Sequence, residues 1–268
     1  MGEHGTIRSG IGGWTFEPWE KTFYPEKLAK TKHLAYAAGK LSTIEINATY
    51  YRGQKPETFA KWAASVPEGF VFAVKGNRFV TNRKKLAEGD ESLDRFFASG
   101  VTELGEKLGP ILWQFAPTKK FEEADFEDFL KMLPAKHDGV DLSHAVEVRH
   151  ESFRASEFAA LLRRHGVAVV FADHATYPAI ADVTGDFVYA RLQRGSDDVE
   201  TCYPEDDLDG WARRAKEWAE GGAPDDLAYA DADTKPEAKP RDVFVYFIHE
   251  GKAQAPHGAM ALAERTRA

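Results

Sequence analysis

Cysteine is almost missing: Cys202 is the only one in 268 residues, so neither an intrachain disulfide framework nor a cysteine-based zinc site can form. That usage fits a reducing, cytoplasmic compartment. With no basic neighbourhood to lower its pKa, Cys202 reads as an inert thiol in a polar loop. No apolar run approaches the ~18 residues of a membrane span, and the opening MGEHGTIRSG lacks the apolar stretch of a secretory signal. Excess positive charge is absent too. The formal net charge of −8, from 35 Lys and Arg against 43 Asp and Glu, argues against broad binding to nucleic acid or anionic membrane. A local basic pocket stays open. There is no P-loop, GxSxG elbow or HExxH, and the glycines Gly10, Gly12 and Gly13 miss the GxGxxG spacing at Thr15. Two short matches, Gly2 to Thr6 for myristoylation and Asn47-Ala48-Thr49 for glycosylation, are expected to be accidental.

What is there is an alternation of short β-branched or apolar runs with longer amphipathic ones, the pattern of repeated βα units on a parallel sheet. Strands are expected over 7–14, 42–49, 70–76, 110–115, 145–150, 167–173, 187–192 and 243–249. With 43% hydrophobic residues, the chain suits one domain, a TIM-type (β/α)8 barrel spanning 1–268. A first helix is expected between Pro25 and a left-handed cap at Gly39, another from Asp90 to Lys107, and a fifth from Ser156 to a cap at Gly166. The interval 175–186, holding Pro178, is too short for a full sixth helix. The stretch 221–241, rich in Ala, Asp, Pro and Lys without apolar periodicity, reads as a mobile excursion at the N-terminal face, away from any barrel active site.

Each barrel strand turns alternate residues inward, which makes its polar residues informative. Glu45, Asn47, Lys75, Gln114, Glu147, Arg149, Asp173 and Arg191 stand near strand carboxyl ends, with His150, His174 and His249 beside them. Two readings follow. The charges form a structural salt-bridge network, or they form a ligand site on the face where barrel enzymes assemble their chemistry. For a site, Lys75, Arg149 and Arg191 suit an anion such as phosphate or carboxylate. Glu45, Glu147 and Asp173 suit acid–base work, with His150, His174 or His249 as proton carriers. Which of these acts stays open. No cofactor is expected; a divalent metal would have to bind among interleaved Arg and Lys, which oppose it. Trp14, Phe16, Trp19, Phe23 and Tyr24 crowd the first βα loop, and Tyr50 and Tyr51 follow the second strand. They could wall a pocket or pack against the rim.

The segments GIGGWTFEPW and FYPEKL near the start, IEINATYY at 44–51, FVFAVKGNRFVT at 70–81 and ILWQFAP at 111–117 carry a resemblance that extends through AVEVRHESF at 145–153, VVFAD at 169–173, FVYARL at 187–192 and VFVYFIH at 243–249. Together they resemble the family known as domain of unknown function 72, or YecE-like. The resemblance implies a barrel with a pocket at its strand ends, but no reaction. It marks Glu45, Asn47, Tyr51, Lys75, Gln114, Glu147, Arg149, His150, Asp173 and Arg191 as signature positions. His249 and Glu250 depart from its usual Asn, and QFAP from its usual QLPP. The function expected is an enzyme acting on a small anionic substrate; the alternatives are a nucleic-acid phosphodiesterase or repair-type barrel and a non-catalytic ligand-binding barrel.

Overall fold

A computed structural model describes residues 4–267. Eight parallel strands close into a barrel: β1 (Ile7–Gly12), β2 (Thr43–Ile46), β3 (Val71–Lys75), β4 (Leu108–Gln114), β5 (His144–Glu147), β6 (Ala168–Asp173), β7 (Phe187–Arg194) and β8 (Asp242–Glu250). β1 pairs with both β2 and β8, which closes the ring. Each expected strand segment overlaps one of these. A two-stranded antiparallel hairpin, Lys136–His137 with Val140–Asp141, lies outside the barrel.

Strand parity divides the apolar interior in two. Ala73, Leu112, Ala145, Val170, Tyr189 and Tyr246 form a cluster inside the barrel. Ile44, Ile46, Val74, Trp113, Val146 and Val148 pack outward with the helices in a larger one. Helices Pro56–Ala64, Glu123–Met132, Ser156–His165, Glu205–Ala219 and Ala255–Thr266 belong to this outer layer. Gly166 closes the Ser156–His165 helix at φ 64° as expected.

Two helices differ from the sequence expectation. The chain from Pro25 is not helical until the 3-10 turn Lys30–Lys32, and the helix proper is only His33–Ala38. Lys27 at φ 66° breaks the segment, while Tyr24 anchors it by stacking on His33 at 3.8 Å and donating to the Trp14 carbonyl at 2.7 Å. Gly39 is right-handed at φ −76° rather than a left-handed cap. The second expected helix stops at Phe97; Gly100, at φ 87°, turns the chain into 3-10 turns over Val101–Lys107.

No helix or strand forms between Asp173 and Phe187, so the sixth helix is missing, and 221–241 is likewise irregular. That excursion is fastened to the barrel by hydrogen bonds and apolar contacts. Its Ala228 carbonyl accepts from the Ala181 amide at 2.8 Å. The buried Asp182 carboxylate accepts from the Ala230 and Asp231 amides, at 2.7 and 3.2 Å, and from Arg163. Leu227 and Tyr229 pack on the core beside these bonds. The excursion thus covers ground where the sixth helix would have lain.

Candidate functional site

Five inward residues from five strands meet at the C-terminal mouth. Arg191 is the hub. From β7 it donates to Glu45 of β2 at 3.0 Å and to Glu147, which follows Val146 on β5. Glu147 also accepts from Gln114 Nε2 at 2.6 Å and from Arg149 Nε and Nη2 at 3.2 and 3.1 Å. Tyr189, one inward step below Arg191, donates its hydroxyl to the other Glu45 oxygen at 2.7 Å. Both carboxylates are fully buried, so without these donors their desolvation would cost several kcal/mol each. Burial by itself would raise the Glu147 pKa, but Arg191, Arg149, Gln114 and Lys75 together outweigh it and hold the group down at about 2. The same carboxylates hold the Arg191 guanidinium charged against its own burial.

Lys75 stands apart from this chain of ion pairs. Its ammonium makes one hydrogen bond, to Gln114 Oε1 at 3.1 Å, and lies 4.3 Å from the centre of the Tyr50 ring. Burial, then repulsion from Arg191, push its pKa down to about 8, with Arg149 adding to the fall and Glu45 and Glu147 opposing it. Above these residues opens a cavity of about 420 Å³. Lys75, Arg149, Arg191 and Lys252 line it and, among the described residues, no Asp or Glu does. Gly12 keeps its floor open, since a Cβ there would meet Asn47 Nδ2 at 3.0 Å and Ile248 Cγ2 at 3.1 Å. Two buried donors of lining residues, Arg191 Nε and Gln193 Nε2, have no partner.

The other residues singled out in the sequence divide. Asn47, Tyr51, Gln114 and His249 line the cavity. His249 reaches it by a left-handed turn at φ 72°, where the β7–β8 register slips. Its ring lies 5.5 Å from that of His174, whose pKa is lowered by burial and then by His249 and Arg149. Tyr51 is exposed and also borders a neighbouring cleft of about 500 Å³ with Phe79 and Arg83. Three residues lie elsewhere. Asp173 belongs to the outward set of β6, since Val170 is inside; its carboxylate accepts from Tyr203 at 3.0 Å and sits 3.7 Å from Arg194. His150 caps the turn Glu151–Phe153, its Nδ1 accepting from the Ser152 amide at 3.1 Å. Trp14 packs against Trp62 and Phe72 in the outer layer. Sequence reading missed Lys252 and Gln193 as lining residues. Gln193 was legible from the parity of Arg191, whereas Lys252 follows a loop whose path has no sequence signal.

Residues 8–268 match the family described as protein of unknown function DUF72. The chain belongs to that family. A curated relative, UPF0759 protein YunF of Bacillus subtilis (strain 168), is 27% identical over 157 residues, 57% of this chain and 54% of the relative. The match thus spans about half the length of that relative. A DUF72 protein of Thermotoga maritima MSB8 has a solved structure similar to this one, with a TM-score of 0.72 and 24% identity, over 97% of this chain and 98% of that one. Another, from Enterococcus faecalis V583, reaches 0.69 at 17% identity and 98% coverage of both. At such identities the likeness speaks for the fold, and the DUF72 name carries no substrate.

The remaining sequence motifs place no site. Cys202 lies in the polar loop between Arg194 and Glu205 but is itself buried, and burial followed by Asp197 pushes its thiol up to about 12. The Thr49 hydroxyl of the glycosylation match is buried, donating to the Lys75 carbonyl at 2.7 Å. Gly2 of the myristoylation match lies outside the described residues. Among the described residues no helix is long and apolar enough to cross a membrane, and no three His, Cys, Asp or Glu side chains converge as metal ligands. Glu45 and Glu147 both turn oxygens to Arg191, so this donor set does not fit a divalent cation.

Proposed function

We propose that this DUF72 chain is an enzyme whose strand-end cavity binds a small phosphorylated or carboxylated substrate. The observation that carries this is the cavity lining: four cationic side chains with no carboxylate among them. Glu45 and Glu147 lie beneath, neutralising part of that charge and fixing Arg191 and Arg149 in place. Three cations, Lys75, Arg149 and Arg191, stand over two carboxylates, so an excess positive charge faces the space above. An anion would satisfy it.

Acid–base roles shift accordingly. Glu147, held ionised at about 2, acts as a fixed charge. Lys75, at about 8, is the group suited to exchange protons near neutral pH, while burial holds the His174 ring at the rim below its ordinary value. Among the described residues, the metal-dependent phosphodiesterase alternative lacks the carboxylate–histidine donor set that it requires.

Calorimetric titration with phosphate at low salt tests this reading. Saturable one-site binding is expected, weakened roughly 10- to 100-fold in Lys252→Gln, equivalent to the ~1.5–3 kcal/mol of one hydrogen bond to a charged group. Unchanged affinity in the variant, or no saturable binding by the wild type, would overturn it. Phosphorylated and carboxylated compounds that bind but remain unchanged after prolonged incubation would favour a non-catalytic barrel instead.

A further inference from the structure

Resting on that anion-binding reading, we propose that Lys75 is a nucleophile that captures the carbonyl carbon of an anionic aldehyde or ketone as an imine. Its setting differs from that of the structural lysines. Lys119 is paired with Asp125 and the Lys84 carbonyl, and Lys107 donates to the Ala63 and Val66 carbonyls. Lys75 is more deeply buried than either, only 6% exposed, yet its one hydrogen bond goes to an uncharged amide oxygen. A lysine kept to neutralise Glu45 or Glu147 would sit on them. Those oxygens are taken instead by Arg191, Arg149, Gln114 and Tyr189.

Gln114 positions the nucleophile. Its Nε2 is committed to Glu147 at 2.6 Å, which turns Oε1 toward Lys75 Nζ at 3.1 Å, and the Tyr50 ring closes the other side at 4.3 Å. The groups that face Nζ are Tyr50, Glu45, Glu147, Arg149 and Arg191. Burial and the two guanidiniums favour loss of its proton, which frees the lone pair an attack needs. The lone pair adds to the carbonyl carbon as the C=O π pair moves to oxygen, giving a carbinolamine. Both amine hydrogens then leave with that oxygen as water while the C=N bond forms, so no oxidant or reductant is consumed. Arg149 and Lys252, on the same cavity wall, would hold the substrate's phosphate or carboxylate.

Reductive trapping tests this. The full chain is incubated with glyoxylate, or with uncharged glycolaldehyde, in the presence of cyanoborohydride, and adducts are located by peptide mass spectrometry. Expected is modification of Lys75 ahead of the other lysines, about tenfold faster with glyoxylate than with glycolaldehyde, and protection by phosphate. Labelling of Lys75 should be half-maximal near pH 8, while exposed lysines respond only near their ordinary ~10.4. All of these are wild-type readouts, so none depends on a variant folding. If phosphate binds but Lys75 is labelled no faster than surface lysines, the imine is overturned and the anion cavity stands. If both aldehydes label Lys75 equally and phosphate does not protect it, the anionic substrate is overturned while the nucleophile stands.

Discussion

Arg191 is a single residue on which two buried carboxylates depend. Replacing it by Met would leave Glu45 and Glu147 fully buried with fewer donors, a loss of about 3–5 kcal/mol expected for breaking a buried ion pair from one side. Urea denaturation at neutral pH measures this; a variant as stable as the wild type would mean the carboxylates are satisfied without Arg191. Protonation probes the same layer. Glu147 has a folded pKa of about 2, below its ordinary 4.5, so its contribution is complete above about 4.5 and is lost as pH falls toward 2. His144 has its Nδ1 accepting from Trp113 at 3.1 Å and its Nε2 at 2.8 Å from the Pro134 carbonyl, which needs the neutral ring. Burial lowers its pKa from 6.5 to about 4, although the Pro134 contact opposes the fall. The unfolded chain therefore takes up the proton first, and stability declines as pH falls from about 6.5 toward 4. His144→Gln is expected to flatten that upper limb in thermal unfolding and Glu147→Gln the lower one; unaltered pH profiles would contradict these assignments. At this scale parity made Glu45, Lys75, Gln114, Glu147 and Arg191 legible in the sequence. The same counting, carried one residue past the inward Ala172, would have turned Asp173 outward. Nothing in the chain order could show that His150 caps a turn or that Lys252 reaches the cavity, because both depend on loop paths.

Among the elements, the missing sixth helix and the excursion belong together. Asp182 ties one to the other through two amides and Arg163. Asp182→Ala is expected to expose 221–241 to limited proteolysis and to lower stability by about 1–3 kcal/mol, from buried donors left unmade; unchanged cleavage there would show that the apolar contacts of Leu227 and Tyr229 suffice. Sequence reading recognised both segments as irregular, 175–186 from its short length and Pro178 and 221–241 from its lack of apolar periodicity, but composition could not reveal that one packs over the other. The strands were legible because each is a short apolar run with interior and helix-facing residues alternating. The helix expected from Pro25 was not, because its local cues of Pro and Gly were overridden by the packing of Tyr24 on His33.

Over the whole molecule, a net charge of −8 surrounds a cavity lined by cations. On the proposed reading the cavity attracts anions that the protein's outer field opposes, so binding should depend on short-range pairing with Lys75, Arg149, Arg191 and Lys252 rather than on long-range steering. Calorimetric titration with sulfate, whose charge is constant between pH 6 and 10, over that range tests the cationic cavity most directly. One-site binding that weakens as pH rises through about 8, where Lys75 loses its proton, is the expected result. Binding that is absent, or independent of pH across that range, would contradict an anion cavity built on Lys75.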